Sequence, residues 1–206
     1  RIVDGKDNEW RCFSASQDVL FRNVYNARKH NFDLLRSAKN DSEKMYAMLG
    51  ESIPKNAGII RIHVAGDMFS EAYLNAWIKL AKSRKDVLFY GYTKSLKYWL
   101  ALRRSFPRNL VLTASYGGRL DPMIKKHKFR SATVVFSRKE ARKLRLPVDH
   151  DDFHAADPSK TRNDFALLLH GVQPKGSAAS VALRKLKGVG SYSRTPFPQK
   201  KTVILI

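Results

Sequence analysis

Apolar residues recur along the chain in short runs, and amphipathic stretches separate them. Five runs read as buried strands. They are Ile59-Ile60-Arg61-Ile62-His63-Val64-Ala65, Val87-Leu88-Phe89-Tyr90-Gly91-Tyr92, Leu110-Val111-Leu112-Thr113-Ala114, Ala132-Thr133-Val134-Val135-Phe136 and Phe165-Ala166-Leu167-Leu168-Leu169. A helical pattern follows each. Ser70 caps a helix to about Arg84, with Tyr73, Ala76, Trp77, Leu80 and Ala81 on one face. Ser95 caps the next, through Arg104, with Trp99 and Leu102 inward. Asp121-Pro122 opens a short helix with Pro at a favoured first position. Ser137 caps a basic helix through Leu144, and Ser177 one through Leu186. Ahead of these, Ser14–Ala38 reads as one helix, with Leu20, Val24, Ala27, Phe32, Leu34 and Leu35 among charges. Asn40-Asp41-Ser42 reads as a turn and cap before a helix from Glu43 to Leu49, and the stretch 52–58 breaks the pattern.

The strand starts at 59, 87, 110, 132 and 165 are separated by 28, 23, 22 and 33 residues, spacings that suit βα units. The expected fold class is α/β. It is a parallel sheet of βα repeats, either a partial or distorted barrel or an open wound sheet, behind an N-terminal helical segment. One domain is expected over 1–206: a helical lead-in at 1–57, βα units at 58–186, and a basic, extended tail at 187–206. In that tail Thr195-Pro196-Phe197-Pro198 reads as extended. Residues Thr202–Ile206 read as an added edge strand or docked end.

Charge narrows the function. Lys and Arg number 39 against 18 Asp and Glu, a net charge of +21. Such an excess attracts polyanions and repels other copies of the chain. Nucleic acid is the best match, because a duplex offers a negative charge about every 1.7 Å. A membrane partner is not expected: no stretch approaches the roughly 20 apolar residues of a spanning helix, and no helix is basic on one face and Trp/Leu-rich on the other. The single cysteine, Cys12, allows no internal disulfide and points to a reducing compartment. The polar start lacks the apolar core of a signal peptide, and a first residue of Arg rather than Met suggests processing or truncation.

In both candidate architectures the site lies at the carboxyl ends of the strands. There the chain carries His63 through Asp67, then Tyr92-Thr93-Lys94, then Ser115-Tyr116-Gly117-Gly118-Arg119, then Ser137-Arg138, and last His170-Gly171 with Gln173 and Lys175 beyond. Converging on one rim, these groups can combine acid–base chemistry with phosphate binding. The catalytic candidates are Asp67, His63, Tyr92, Lys94 and His170. Each also has a structural reading. Asp67 after Gly66 can cap a turn, His63 can be a satisfied core histidine, and Lys94 can be a solvated lysine at a helix start.

Asp149-His150-Asp151-Asp152-Phe153-His154 forms an acidic island, from which Asp149, Asp151 and Asp152 could hold Mg²⁺ or Mn²⁺. A solvated turn after Pro147 is the plainer reading, since adjacent residues rarely all face one ion. Cys-x-x-Cys, His-Glu-x-x-His and the phosphate-loop motif are absent, and no cofactor is indicated otherwise. The candidate nucleic-acid contacts are Arg103, Arg104, Arg119, Lys125, Lys126, Lys128, Arg130, Arg138, Lys175, Lys185, Lys187, Tyr192 and Arg194. In the run 184–194, glycines let backbone N–H groups approach phosphate and Tyr192 can stack on a base.

Four stretches together carry a family resemblance. They are Arg11-Cys12-Phe13-Ser14-Ala15-Ser16-Gln17, Arg61–Ser70, Phe89–Leu96 and His170–Ser177. The set resembles the bacteriophage gene product 88 family over most of residues 11–194. The resemblance implies a phage protein made in the cytoplasm of an infected bacterium, and it implies no particular reaction. Members of the family usually carry further cysteines upstream of the position of Cys12. Their absence here suggests a truncated start and puts any metal or cluster they bind out of reach of this chain. The layout also resembles phage DNA-guanine transglycosylases and radical-enzyme half barrels, at the level of fold alone.

Three functions remain open from the sequence. One is base modification or exchange on DNA or RNA, with Asp67 as nucleophile or base, Lys94 on phosphate, and Tyr92 and Tyr116 receiving a flipped base. Another is a metal-dependent nuclease or nickase using Asp67 with His170 or the acidic island. The last is a DNA-binding protein without catalysis.

Overall fold

The computed structural model describes residues 9–160, 163–186 and 203–205. Its centre is a single sheet in which every pairing is parallel. The strands are β1 (Ile59–Ile62), β2 (Leu88–Thr93), β3 (Leu110–Ser115), β4 (Ser131–Val135), β5 (Val148–Asp149), β6 (Phe165–Leu168) and β7 (Val203–Leu205), in the order β5-β6-β4-β3-β2-β1-β7. The first four strands lie side by side in chain order, so the sheet has no reversal point at its centre. It curls as a half barrel rather than opening as a doubly wound sheet.

Register sorts the side chains between two faces. Pairing sets Ile60 beside Phe89 and Ile62 beside Gly91, then Phe89 beside Leu110 and Gly91 beside Leu112. These residues form the convex face. Against them pack α3 (Ser42–Ser52), through Met45 and Leu49, and α4 (Glu71–Ser83), through Tyr73, Leu74, Trp77 and Ile78. Farther along, Leu96 of α5 (Leu96–Leu102) and Ile124 of α6 (Asp121–His127) meet Ala114 and Phe129. Ala141 of α7 (Arg138–Lys143) and Leu186 of α9 (Ala178–Leu186) meet Val135, Ala166 and Leu168. The alternate residues face the hollow: Ile59, Tyr90, Val111, Ala132, Phe165 and Leu167, covered by Ala155 and Ala156 of the one-turn helix α8 (Phe153–Ala156).

The helix starts follow local chemistry. The hydroxyls of Ser70, Ser137 and Ser177 accept from the N–H groups of Tyr73, Glu140 and Ser180, each at 3.1 Å, satisfying donors that a helix leaves open. Asp41 caps α3 by accepting from Glu43 and Lys44. Ser95 departs from the expectation of a cap: its hydroxyl donates instead to the Met68 carbonyl at 2.7 Å and ties two loops together.

Several boundaries differ from the sequence reading. β1 stops at Ile62 because His63 adopts a left-handed φ of 63°, which a strand cannot continue. The single N-terminal helix is two, α1 (Phe13–Leu20) and α2 (Arg22–Ser37), broken where Phe21 is extended. Helix α2 buries none of its residues. It meets the body through Leu35 and through Phe32, edge-on to the Phe69 ring at 5.3 Å. Strand β5 and helix α8 lie in the acidic island, where no strand or helix is expected, because two and four residues are too few to show a period.

Candidate functional site

The carboxyl ends of β1 and β2 bring Asp67 and Lys94 together. One Asp67 oxygen accepts from the Met68 N–H at 2.7 Å and the Thr93 hydroxyl at 2.6 Å. The other accepts from the Lys94 N–H at 2.7 Å. The carboxylate thus clamps the β1 loop to the end of β2. The Lys94 ammonium donates to the Ser115 carbonyl and hydroxyl and to the Tyr116 carbonyl, at 3.0, 2.9 and 2.7 Å. Burial lowers its pKa, while Asp121, Asp67 and Cys12 pull it back up. Asp121 accepts from the N–H groups of Gly117 and Gly118, each at 2.9 Å. Lys94 packs closely over Gly118, where an added Cβ would stand 3.2 Å from its side chain.

His63 lies against α4. Its Nε2 hydrogen-bonds the Tyr73 hydroxyl at 2.9 Å, and its Nδ1 is shielded from solvent with no partner among the described residues. Burial pushes the imidazole down to about 4 against the opposing pull of Asp67, so it is neutral near pH 7. Burial likewise pushes the Tyr73 phenol up to about 12.

Tyr92 and His170 belong to a second group, in the hollow. Asp152, 4% exposed, accepts from Arg61 at 2.9 Å and from the hydroxyls of Tyr90 and Tyr92 at 3.0 Å each. Arg61 also lies over the Tyr92 ring, 5.3 Å from its centroid. His170 donates Nδ1–H to the Leu168 carbonyl at 3.1 Å. Burial lowers its pKa, and it lies within electrostatic reach of Arg61 and Asp152. The five catalytic candidates therefore divide: Asp67, Lys94 and His63 at the rim above β1 and β2, and Tyr92 and His170 around the buried knot. Tyr116 stands at the rim through its carbonyl, apart from the Tyr92 hydroxyl.

The N-terminal arm closes over the same end of the sheet. Gln173 accepts from the Arg11 N–H at 2.8 Å and donates to the Arg11 carbonyl at 2.9 Å, and Ser16 donates to the Val172 carbonyl at 3.0 Å. The Phe13 ring lies tilted against that of His170, with centroids 5.2 Å apart. Cys12 precedes α1 and is half-buried.

The acidic island is not a solvated turn. Asp149 and Asp152 are each 4% exposed. Asp149 accepts from the Ala155 N–H at 3.1 Å, and burial raises its pKa. Asp151 accepts from the Phe153 N–H instead. The three carboxylates thus turn to separate partners, and among the described residues no three His, Cys, Asp or Glu side chains gather as a metal site.

Arg130 departs from the expected surface cation. It is 5% exposed and donates to Thr113 and to the carbonyls of His154 and Ala155, the latter two at 2.9 and 2.8 Å. The other described basic candidates, Arg103, Arg104, Arg119, Lys125, Lys126, Lys128, Arg138, Lys175 and Lys185, are all exposed. Lys187, Tyr192 and Arg194 lie outside the described residues.

Sequence reasoning missed Arg61, Tyr90 and Thr113 as site-forming residues. The signal was present: in apolar strands that pair in register, Arg61, Tyr90, Tyr92, Thr113 and Ser115 fall on one face at a period of two. The hollow is polar because those positions are.

The model of the family described as Gene product 88 matches residues 8–186. Among curated proteins, the chain is 29% identical over 92 residues to the Gene 88 protein of Mycobacterium phage L5 and 31% identical over 90 residues to that of Mycobacterium phage D29. Each match covers 40% of this chain and 38% of the relative. No solved structure matches. Among the described residues no helix is long and apolar enough to cross a membrane.

Proposed function

The chain belongs to the gene product 88 family, and on that footing we propose that it is a nucleic-acid-binding protein that works on DNA in the cytoplasm of an infected bacterium. One observation carries the reading. The net charge of +21 includes a run of exposed cations on successive convex-face helices, and among the described residues those of α6 and α7 pair with no carboxylate. These are Lys125 and Lys126, then Arg138, Lys139, Arg142 and Lys143, with Arg103 and Arg104 following α5. Cations left unpaired in this number are a counterion-release surface for phosphates.

The rim supports an enzyme acting on a base rather than simple coating. Lys94 supplies a fixed positive charge, Lys97 and Arg119 stand exposed beside it, and Asp67 holds the two loops in register. Fixed dipoles and charges at the carboxyl ends of a parallel sheet are suited to holding a strand while one nucleotide reacts.

Fluorescence anisotropy with labelled DNA across a salt series is the test. Affinity should fall linearly in log–log form as salt rises, with a slope near −0.9 for each phosphate neutralised on a duplex. Nucleoside mass analysis of treated DNA should show a changed base without strand breaks. No binding at low salt removes the reading, and metal-dependent strand breaks would replace base modification with cleavage.

A further inference from the structure

A cleft of about 400 Å³ opens at the rim, lined by Met68, Lys94, Ser95, Lys97, Tyr98, Arg119 and Leu120. The loops after β1, β2 and β3 contribute to it, together with the first turn of α5. Its volume falls within the roughly 300–1,000 Å³ of small-ligand sites. The base is rigid: Met68 is buried, and the Ser95 hydroxyl donates to its carbonyl at 2.7 Å. Tyr98 and Leu120 are half-buried and give the walls an aromatic and an apolar surface.

The charges around the cleft are unequal in availability. Lys97 and Arg119 are exposed and make no hydrogen bond or ion pair among the described residues. Lys94 adds a positive field, but its three protons already go to Ser115 and Tyr116. The nearby carboxylates, Asp67 and Asp121, are both occupied by donors of the loops. An anion entering the cleft therefore meets two free cationic heads and no free carboxylate. Tyr98 and Leu120 line the cleft beside them.

We infer that this cleft is a subsite for one unpaired nucleotide of a nucleic-acid strand, its phosphate held by Lys97 and Arg119 and its base laid against Tyr98. The inference rests on the nucleic-acid reading above and refines it. A base in a duplex is stacked on both faces and cannot reach Tyr98, whereas a base in a single strand, or one turned out of a helix, can. The site also differs from the one expected from sequence: the Tyr92 hydroxyl is committed to Asp152 in the hollow, and Tyr98 takes the role of the stacking ring.

The test compares a labelled single-stranded 12-mer with a duplex of the same length, using anisotropy and the full chain. The variants are Lys97→Ala/Arg119→Ala, both exposed positions, and Tyr98→Leu with Tyr98→Phe beside it. The double variant should bind the single strand at least tenfold more weakly. Its salt slope should become shallower by about 1.4, from two phosphate contacts at about 0.7 each. Duplex affinity should change less than threefold, because the convex-face cations remain. Tyr98→Leu should weaken single-strand binding by about 5- to 160-fold, the range of a lost base stack, and Tyr98→Phe should restore it. Equal losses on both substrates would assign Lys97 and Arg119 to the general phosphate field and overturn the subsite while leaving nucleic-acid binding intact. Single-strand binding unchanged in every variant would overturn it as well. If the unaltered chain binds neither substrate, the functional reading fails and the subsite with it.

Discussion

Replacing Asp152 by Ala should destabilise the protein more than any substitution of a neighbouring acidic residue. Asp152 accepts three hydrogen bonds in the hollow, from Arg61 at 2.9 Å and from Tyr90 and Tyr92 at 3.0 Å each. The side chains of Arg61 and Asp152 are 14% and 5% exposed. Removing the carboxylate takes the counter-charge at 2.9 Å from a shielded guanidinium and the acceptor at 3.0 Å from each of two hydroxyls. Breaking a buried ion pair from one side costs about 3–5 kcal/mol, and an unsatisfied hydroxyl about 1–3 kcal/mol. Because the three donors share one acceptor, these costs overlap, and about 4 kcal/mol is the expected total. For a chain of this size that corresponds to a fall in Tm of roughly 8–16 °C. Urea denaturation followed by circular dichroism measures it. His150→Ala, at an exposed neighbour, should stay within about 0.5 kcal/mol. The double variant Arg61→Met/Asp152→Leu should recover more than about 1 kcal/mol relative to the sum of the singles, since removing both charges removes the orphan. A cost below about 1 kcal/mol for Asp152→Ala would refute the account of the hollow as a polar knot held by the Asp152 carboxylate.

Gly171→Ala should cost about 1–3 kcal/mol by loosening the N-terminal arm, because φ is 74° there and the new Cβ would stand 2.5 Å from the Phe13 Cβ. Limited proteolysis should then cut within 11–20 while the core stays intact; unchanged protection would contradict the packing described. Stability should also fall as the pH drops from about 6.5 towards 4. His63 has its pKa held down to about 4 by burial, so the unfolded chain binds the proton first, and the contribution is complete above 6.5 and lost as pH falls through 4. Urea midpoints for the wild type and His63→Gln across that window should diverge, with the variant showing the flatter profile.

Much of this fold is written locally. Five apolar runs at βα spacing, with serines at 70, 137 and 177 placed to cap helices, determine strands, helices and a parallel sheet, since parallel neighbours need a crossover between them. The rim residues were legible for the same reason, because a strand's carboxyl end is a position along the chain. What the chain alone could not decide is how those residues are used. Asp67 and Lys94 are 27 residues apart in sequence, yet their hydrogen bond makes them a single clamp. The island at 149–154 reads as solvated by composition, yet Asp152 is buried, because the register of β1 and β2 sets Arg61, Tyr90 and Tyr92 side by side on the face it packs against. Arg130 sits in a basic run, yet it is internal, because α8 folds back into the hollow and offers carbonyls there. Periodicity and capping are near-neighbour physics, and a sequence displays them. Whether a charge is buried and paired depends on groups far away along the chain, and only the folded sheet brings those together.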